Sequence, residues 1–257
     1  MGSPERKVVF MYHGIVQDLS SVPANREKGA LLYDVPVQKF RDQMAFLKNN
    51  DYFVTTLEKE SLLPQGKKVI FTFDDGELNN YTNAFPVLKQ FDFLAYFFVT
   101  VNRIGQKDYM GWKELKALRD ADMIVGSHGL THEILTKLTT KQLVQELEES
   151  KRTLEDHLQV PVDYFSVPRG FYNKEVIDCA VSAGYKRIFI SEKQAYFDDN
   201  CVSRTAVKHN WTIGNFYQVL EGEIALGESL FSFWKGAAKR LLGGRGYDAL
   251  RSKILKK

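Results

Sequence analysis

Short apolar runs alternate along the chain with longer stretches in which apolar residues recur at every third or fourth position. The short runs are Val8-Val9-Phe10-Met11-Tyr12, Val69-Ile70-Phe71-Thr72-Phe73, Ala95-Tyr96-Phe97-Phe98-Val99, Met123-Ile124-Val125, Tyr164-Phe165-Ser166-Val167, Arg187-Ile188-Phe189-Ile190 and Ser203-Arg204-Thr205-Ala206-Val207. Their length and β-branched or aromatic content predict about seven strands. Helical spacing appears over 37–48, through Phe40, Met44 and Leu47, and over 141–158, through Leu143, Leu147, Leu154 and Leu158. Similar signals cover 84–91, 112–119 and 174–183, the last closing on Gly184 as a C-terminal cap.

Strands that alternate with helices favour a parallel sheet, and runs apolar on both faces require cover on both sides. An open doubly wound sheet and a closed barrel both satisfy this. About seven units favour the barrel, an α/β TIM-barrel-like fold. No repeat or long linker divides the chain before about residue 225, so 1–228 is expected to form one domain. From 229 to 257 the pattern changes: Phe231, Phe233, Trp234, Leu241 and Leu242 lie among Lys235, Lys239 and Arg240, then Gly243-Gly244-Arg245-Gly246 leads into a second basic stretch. This reads as a basic amphipathic C-terminal helical extension. It either packs on the barrel with a solvated basic face or makes peripheral membrane contact at an anionic surface.

With 257 residues, 44% of them hydrophobic, the chain can bury one large core. Lys and Arg exceed Asp and Glu by only 35 to 32, too small and too even an excess to announce a nucleic-acid surface; no nucleic-acid partner is expected. Cys179 and Cys201 are too few for a disulfide framework and form no CxxC pair, so both are expected to be ordinary buried thiols. No apolar run approaches the ~20 residues of a membrane helix. The opening 1–7 has no signal-peptide core, and Arg6 breaks the myristoylation pattern. Location stays open between the cytoplasm and export by a signal absent from this sequence.

The chemistry concentrates at two places, each directly after an apolar run. In Thr72-Phe73-Asp74-Asp75-Gly76 two adjacent carboxylates end a strand. Neighbouring like charges raise each other's pKa unless a cation or a division of labour separates them; one carboxylate on a metal and the other acting as base would do so. Asp-Asp-Gly is also good turn chemistry. In Gly126-Ser127-His128-Gly129-Leu130-Thr131-His132 two histidines stand four apart. On one helical turn their imidazoles would share a divalent ion with a carboxylate such as Asp75, leaving positions for water. Both places fall at strand C-termini, where barrel enzymes build their sites.

With these motifs in place the chain resembles the polysaccharide deacetylases of carbohydrate esterase family 4, which carry the NodB-homology domain. The family's Thr-Phe-Asp-Asp-Gly motif stands at 72–76 and its His-x-x-x-His pair at His128 and His132; Met11-Tyr12-His13-Gly14-Ile15 and the segment 40–56 add to the likeness, which covers most of 7–210. The resemblance implies a distorted (β/α)7 barrel and metal-dependent removal of N-acetyl groups from an N-acetylhexosamine-containing glycan, with release of acetate. It implies Asp75, His128 and His132 as metal ligands, usually for zinc, and Asp74 as general base. The ligand set itself also admits cobalt, nickel or manganese.

Two motifs depart from the family. Its Arg-x-Pro-Tyr-Gly becomes Ser166-Val167-Pro168-Arg169-Gly170, so the arginine that steadies the base is Ser166 here and another residue must orient Asp74. The backbone N–H of Arg169 keeps the family's oxyanion role, because any residue but proline provides it, with Pro168 and Gly170 beside it toward the substrate. The family's Leu-x-His motif, which supplies the general acid, has no counterpart; His209 and His13 are the candidates. Arg204 and Glu192 are expected to line the same mouth, and Tyr109, Trp112, Tyr172 and Trp211 are candidates for stacking on sugar rings. His157 is expected on the solvated surface. Two other functions fit the pattern: hydrolysis of non-sugar amides or imides, and glycan binding by a catalytically impaired relative.

Overall fold

The computed structural model describes residues 6–22, 30–191 and 199–223. Glu192 and the expected C-terminal extension lie outside the described residues. In chain order the elements are β1 (Arg6–Tyr12), β2 (Ile15–Val16), β3 (Val35–Pro36), α1 (Val37–Asn49), β4 (Phe53–Val54), β5 (Lys67–Phe73), α2 (Phe85–Phe91), β6 (Ala95–Val99) and α3 (Trp112–Asp120). There follow β7 (Ile124–Ser127), α4 (Thr140–Leu158), β8 (Tyr164–Ser166), α5 (Lys174–Ser182), β9 (Arg187–Ile190), β10 (Cys201–Ser203), β11 (Thr205–Ala206) and α6 (Ile213–Glu221).

The main sheet runs β10-β9-β8-β7-β6-β5-β1-β11, with β4 attached to β5, and the pairs are parallel. β10 and β11 are one extended segment interrupted only at Arg204. Its first half pairs with β9 and its second half with β1, so a single segment joins the two ends of the sheet. Counted as one, it gives seven strand positions around a nearly closed ring: the barrel of about seven units that the patterning predicts, in the distorted (β/α)7 form that the resemblance implies.

Side-chain alternation along these strands separates two cores. Phe10 and Tyr12 of β1, Phe71 and Phe73 of β5 and Phe97 of β6 face outward and pack with Phe40, Leu47 and Phe216 of the surrounding helices. Val9, Ile70, Tyr96, Phe98 and Phe189 form a second, smaller cluster within the ring. The rings of Phe98 and Phe189 lie 4.9 Å apart. One step further toward the strand C-termini the same inner face carries Thr72, Asp74, His128, Ser166 and Arg204, so the polar site stands on an aromatic floor.

Helix limits follow local chemistry. The hydroxyl of Thr139 accepts from the N–H of Gln142, whose side chain returns a bond to the Thr139 N–H, and α4 starts there. α5 ends at Ser182 with Ala183 as its cap, and Gly184 stands one residue beyond at φ 91°. Four elements carry no strong sequence signal: β2, β3, β4 and α6. The two thiols differ, since Cys201 is buried and Cys179 only half-buried; the expectation of two buried thiols is corrected for Cys179, which lies on α5.

Gly126 faces Phe98 across the β6–β7 pairing. A Cβ there would lie 2.5 Å from the Phe98 ring and 2.9 Å from the carbonyl oxygen of Tyr164. Gly126→Ala should therefore destabilise the barrel by about 1–3 kcal/mol, the usual cost of overpacking; equal urea midpoints for parent and variant would contradict this packing account.

Candidate active site

Asp74 follows directly on β5, and its N–H donates to the Tyr12 carbonyl at 3.0 Å, continuing the β1–β5 ladder. Its side chain therefore keeps the inward direction of Thr72. Asp75 then turns into the left-handed region at φ 73°, with Gly76 at φ 76°. This reversal sends two adjacent carboxylates to different partners.

Asp74 is almost completely buried and meets a guanidinium in fork geometry: Arg204 Nη1 donates to Oδ1 at 2.8 Å and Nη2 to Oδ2 at 2.9 Å. The Ser166 hydroxyl donates to the same carboxylate at 3.1–3.2 Å and accepts from Arg204 Nη2 at 2.8 Å. Arg204 Nη1 also donates to the Thr72 hydroxyl at 3.1 Å. The guanidinium carbon lies 5.7 Å from the Phe98 ring centroid and 5.8 Å from that of Phe189. Burial alone would raise the Asp74 pKa, but Arg204, then His128 and His13, hold it below the ordinary carboxylate value.

Asp75 faces the histidines. Its Oδ1 lies 3.0 Å from His132 Nε2 and 3.7 Å from His128 Nε2, and ligand atoms of the three residues fall within 4.8 Å of one another. His128 Nδ1 stands 2.8 Å from the Ser166 carbonyl, which can only accept. The proton of neutral His128 therefore sits on Nδ1, and Nε2 presents a lone pair toward Asp75. Burial pushes the His128 pKa down to about 4, so it is neutral near neutral pH. Arg103 reaches the same group, with Nη2 at 3.1 Å from His132 Nδ1 and Nη1 at 3.4 Å from Asp75 Oδ1. Asp75, although burial opposes it, is held well below the ordinary carboxylate pKa by His132, His13 and His128.

The other expected site residues divide. Pro168 and Gly170 are buried in a 3-10 turn after β8, and Arg169 between them is exposed at φ 58°, ψ 0°, its Nε 3.3 Å from the His132 carbonyl. His13 stacks on Tyr33 at 5.1 Å, and its charge acts on both carboxylates. His209 is held elsewhere: its Nδ1 lies 3.0 Å from the Leu31 carbonyl, and its own carbonyl accepts from Lys39. Among the candidate sugar platforms, Tyr172 and Trp211 are buried in the outer core. Trp112 stacks at 3.9 Å on the exposed His157, and Tyr109 lies under Arg103.

Arg204, expected only to line the mouth, is the counter-ion of Asp74. A charged residue in the middle of an expected strand was its one signal. Ser166 and Arg204 together occupy the place that one arginine fills in the family pattern.

Barrel and cluster together define a carboxylate–histidine centre at the C-terminal ends of parallel strands. Residues 63–188 match the polysaccharide deacetylase family profile. YxkH of Bacillus subtilis (strain 168), which carries the name of a polysaccharide deacetylase, is 31% identical over 189 residues, covering 71% of this chain and 63% of that protein. The poly-β-1,6-N-acetyl-D-glucosamine N-deacetylase of Staphylococcus aureus (strain MSSA476) is 25% identical over 184 residues, 63% of each. The solved deacetylase PplD of Streptococcus pyogenes, in complex with acetate, shares the fold with a TM-score of 0.74 at 23% identity, over 85% of this chain and 99% of that one. The chain thus carries a polysaccharide deacetylase domain over residues 63–188. It spans just under two thirds of the length of these curated relatives.

Replacing Arg204 by Met removes the main influence holding Asp74 ionised while its burial stays. The Asp74 pKa should then rise above its unfolded value, and the sign of its pH dependence should invert. In the parent, this group's stabilisation is present above the unfolded pKa and is lost as pH falls through the folded value. In Arg204→Met the folded state gains relative stability as pH falls and loses it as pH rises. The variant should be about 3–5 kcal/mol less stable near pH 7, with a smaller deficit near pH 4. Urea midpoints at both pH values measure this, and a constant deficit would refute the assignment.

Proposed function

We propose that the protein is a metal-dependent hydrolase that removes N-acetyl groups from an N-acetylhexosamine-containing oligosaccharide or polysaccharide and releases acetate. The observation that carries this reading is the separation of two adjacent carboxylates, Asp74 to a buried guanidinium and Asp75 to two histidines. The family relationship and the N-deacetylase relative support the substrate class.

The donors suit a divalent ion, zinc first and cobalt, nickel or manganese next. His128 offers an Nε2 lone pair fixed by the Ser166 carbonyl, Asp75 offers Oδ1, and His132 turns Nε2 to that oxygen. Arg103 donates to Nδ1 of His132, so Nε2 is the atom of that ring that would face an ion. Bound there, a metal supplies a water of lowered pKa and polarises the acetamide carbonyl.

The chain's own groups do the rest. Asp74, ionised and fixed by the Arg204 fork and the Ser166 hydroxyl, takes the proton of the attacking water. The backbone N–H of Arg169, held on the tight turn after β8, donates to the developing oxyanion. Of the two candidate acids, His13 follows directly on β1 beside the Asp74 ladder and stacks on Tyr33, and we assign it the protonation of the departing amine; His209 is tied to the 31–32 segment. The aromatic floor below Arg204 keeps bulk water from reaching the base from inside the barrel.

Two substitutions separate the roles. Asp74→Asn should retain zinc while acetate release falls by about 10²–10⁴-fold, the span of a lost general base; His128→Ala should lose zinc and activity together. Acetate release from N-acetylglucosamine oligomers, by chelated enzyme with zinc or cobalt added back, checks both. Full activity of Asp74→Asn would overturn the base assignment, and release from small amides without any from the oligomers would favour an amide hydrolase.

A further inference from the structure

We propose that Glu146 is a positioning residue that shapes the loop carrying His128 and His132, an inference that rests on the metal-centre reading above. Glu146 lies on the inner face of α4. Leu143, Leu147, Leu154 and Leu158 make that face apolar, yet Glu146 is only 5% exposed and Ser150 fully buried among them. A buried carboxyl requires donors.

Every hydrogen-bond donor shown for Glu146 comes from between the two histidines. The N–H of Leu130 donates to Oε1 at 2.8 Å and that of Thr131 at 2.6 Å, while the Thr131 hydroxyl lies 3.0 Å from both carboxyl oxygens. Two successive N–H groups converge on one acceptor only if the chain curls around it. Gly129, at φ 80°, makes the curl: a Cβ there would stand 3.0 Å from Glu146 Oε1.

The carbonyls of the loop are tied on the opposite side. Gly129 and Leu130 accept from the N–H groups of Val101 and Asn102 at 3.0 and 2.9 Å, and the N–H of His128 donates to the Val99 carbonyl at 2.8 Å. The loop is thus clamped between the end of β6 and one side chain of α4. His132 follows at φ 68°, a conformation that a residue with a Cβ keeps only where its surroundings impose it. Glu146 supplies that constraint. With an apolar side chain at 146, the two N–H groups lose their acceptor and must turn elsewhere, taking the His132 imidazole away from Asp75.

The test uses the full chain, stripped of metal and titrated with zinc against a chromophoric chelator, and separately with cobalt, whose visible bands report ligand geometry. Glu146→Leu should bind zinc about 10–100-fold more weakly, the usual effect of removing an outer support of metal ligands, and its cobalt bands should change. Glu146→Gln keeps an oxygen for both N–H groups and should restore most of the affinity and the parent's spectrum. A folded Glu146→Leu with the parent's zinc affinity and cobalt spectrum would overturn the proposal. If Glu146→Leu does not fold, Glu146→Asp, whose carboxylate stops one methylene short of the two N–H groups, decides the matter: weaker zinc binding supports the proposal and unchanged binding overturns it. A parent that binds neither metal would instead overturn the metal-centre reading, and this inference with it.

Discussion

The ion pair between Asp74 and Arg204 is the constraint to which the rest of the site is fitted. Two opposite charges inside a ring of strands lose most of their hydration, and further hydrogen bonds offset part of that cost. Here the fork is bidentate and Ser166 and Thr72 take further Nη contacts, while the buried Nε of Arg204 has no hydrogen-bond partner among the described residues. Phe98 and Phe189 lie beneath the guanidinium, where a planar, weakly hydrated cation is better accommodated than an ammonium would be. The position of the pair also coincides with the irregularity of the barrel. Arg204 stands where the closing strand leaves β9 and joins β1, so the residue that breaks the ladder is the one that reaches into the ring.

That pair gives the adjacent carboxylates their separate chemistry. Were both to face the same histidines, each would raise the pKa of the other, and one would take up a proton. The left-handed turn at Asp75 removes this conflict, leaving Asp74 on the interior cation and Asp75 among imidazoles. His128 joins the two halves. Its Nδ1 proton is fixed by the carbonyl of Ser166, whose hydroxyl touches Asp74, so one residue of β8 sets both the tautomer of a histidine and the orientation of the neighbouring base.

Much of this was legible in the sequence. All seven strand positions coincide with apolar runs, because a parallel barrel buries both faces of each strand, and the helices from α1 to α5 fall within a residue or two of their expected limits. The acidic pair and the histidine pair were legible because each is local, a few residues ending a strand. What escaped was non-local. Arg204 meets Asp74 across 130 positions, and nothing in Ser203-Arg204-Thr205 says which way the side chain points. Glu146 was hidden by an otherwise good amphipathic pattern; its signal is a polar residue beside Leu143 and Leu147 on the buried face of α4. β4 and the β2–β3 pair are two-residue strands, too short for periodicity to register.

Ser166 shows how a departure from a motif can preserve a physical requirement. A long side chain at that position would compete for the space that Arg204 fills beneath Asp74, and the small hydroxyl vacates it. The positive charge arrives from the closing strand and not from β8, and the carboxylate still meets a fork. What changes is the coupling: with the cation on the segment that closes the ring, the ionisation of Asp74 and the closure of the barrel depend on the same residue. A perturbation that opens the seam between β9 and β1 would therefore reach the base directly, while one confined to the histidine loop would reach it only through the Ser166 carbonyl.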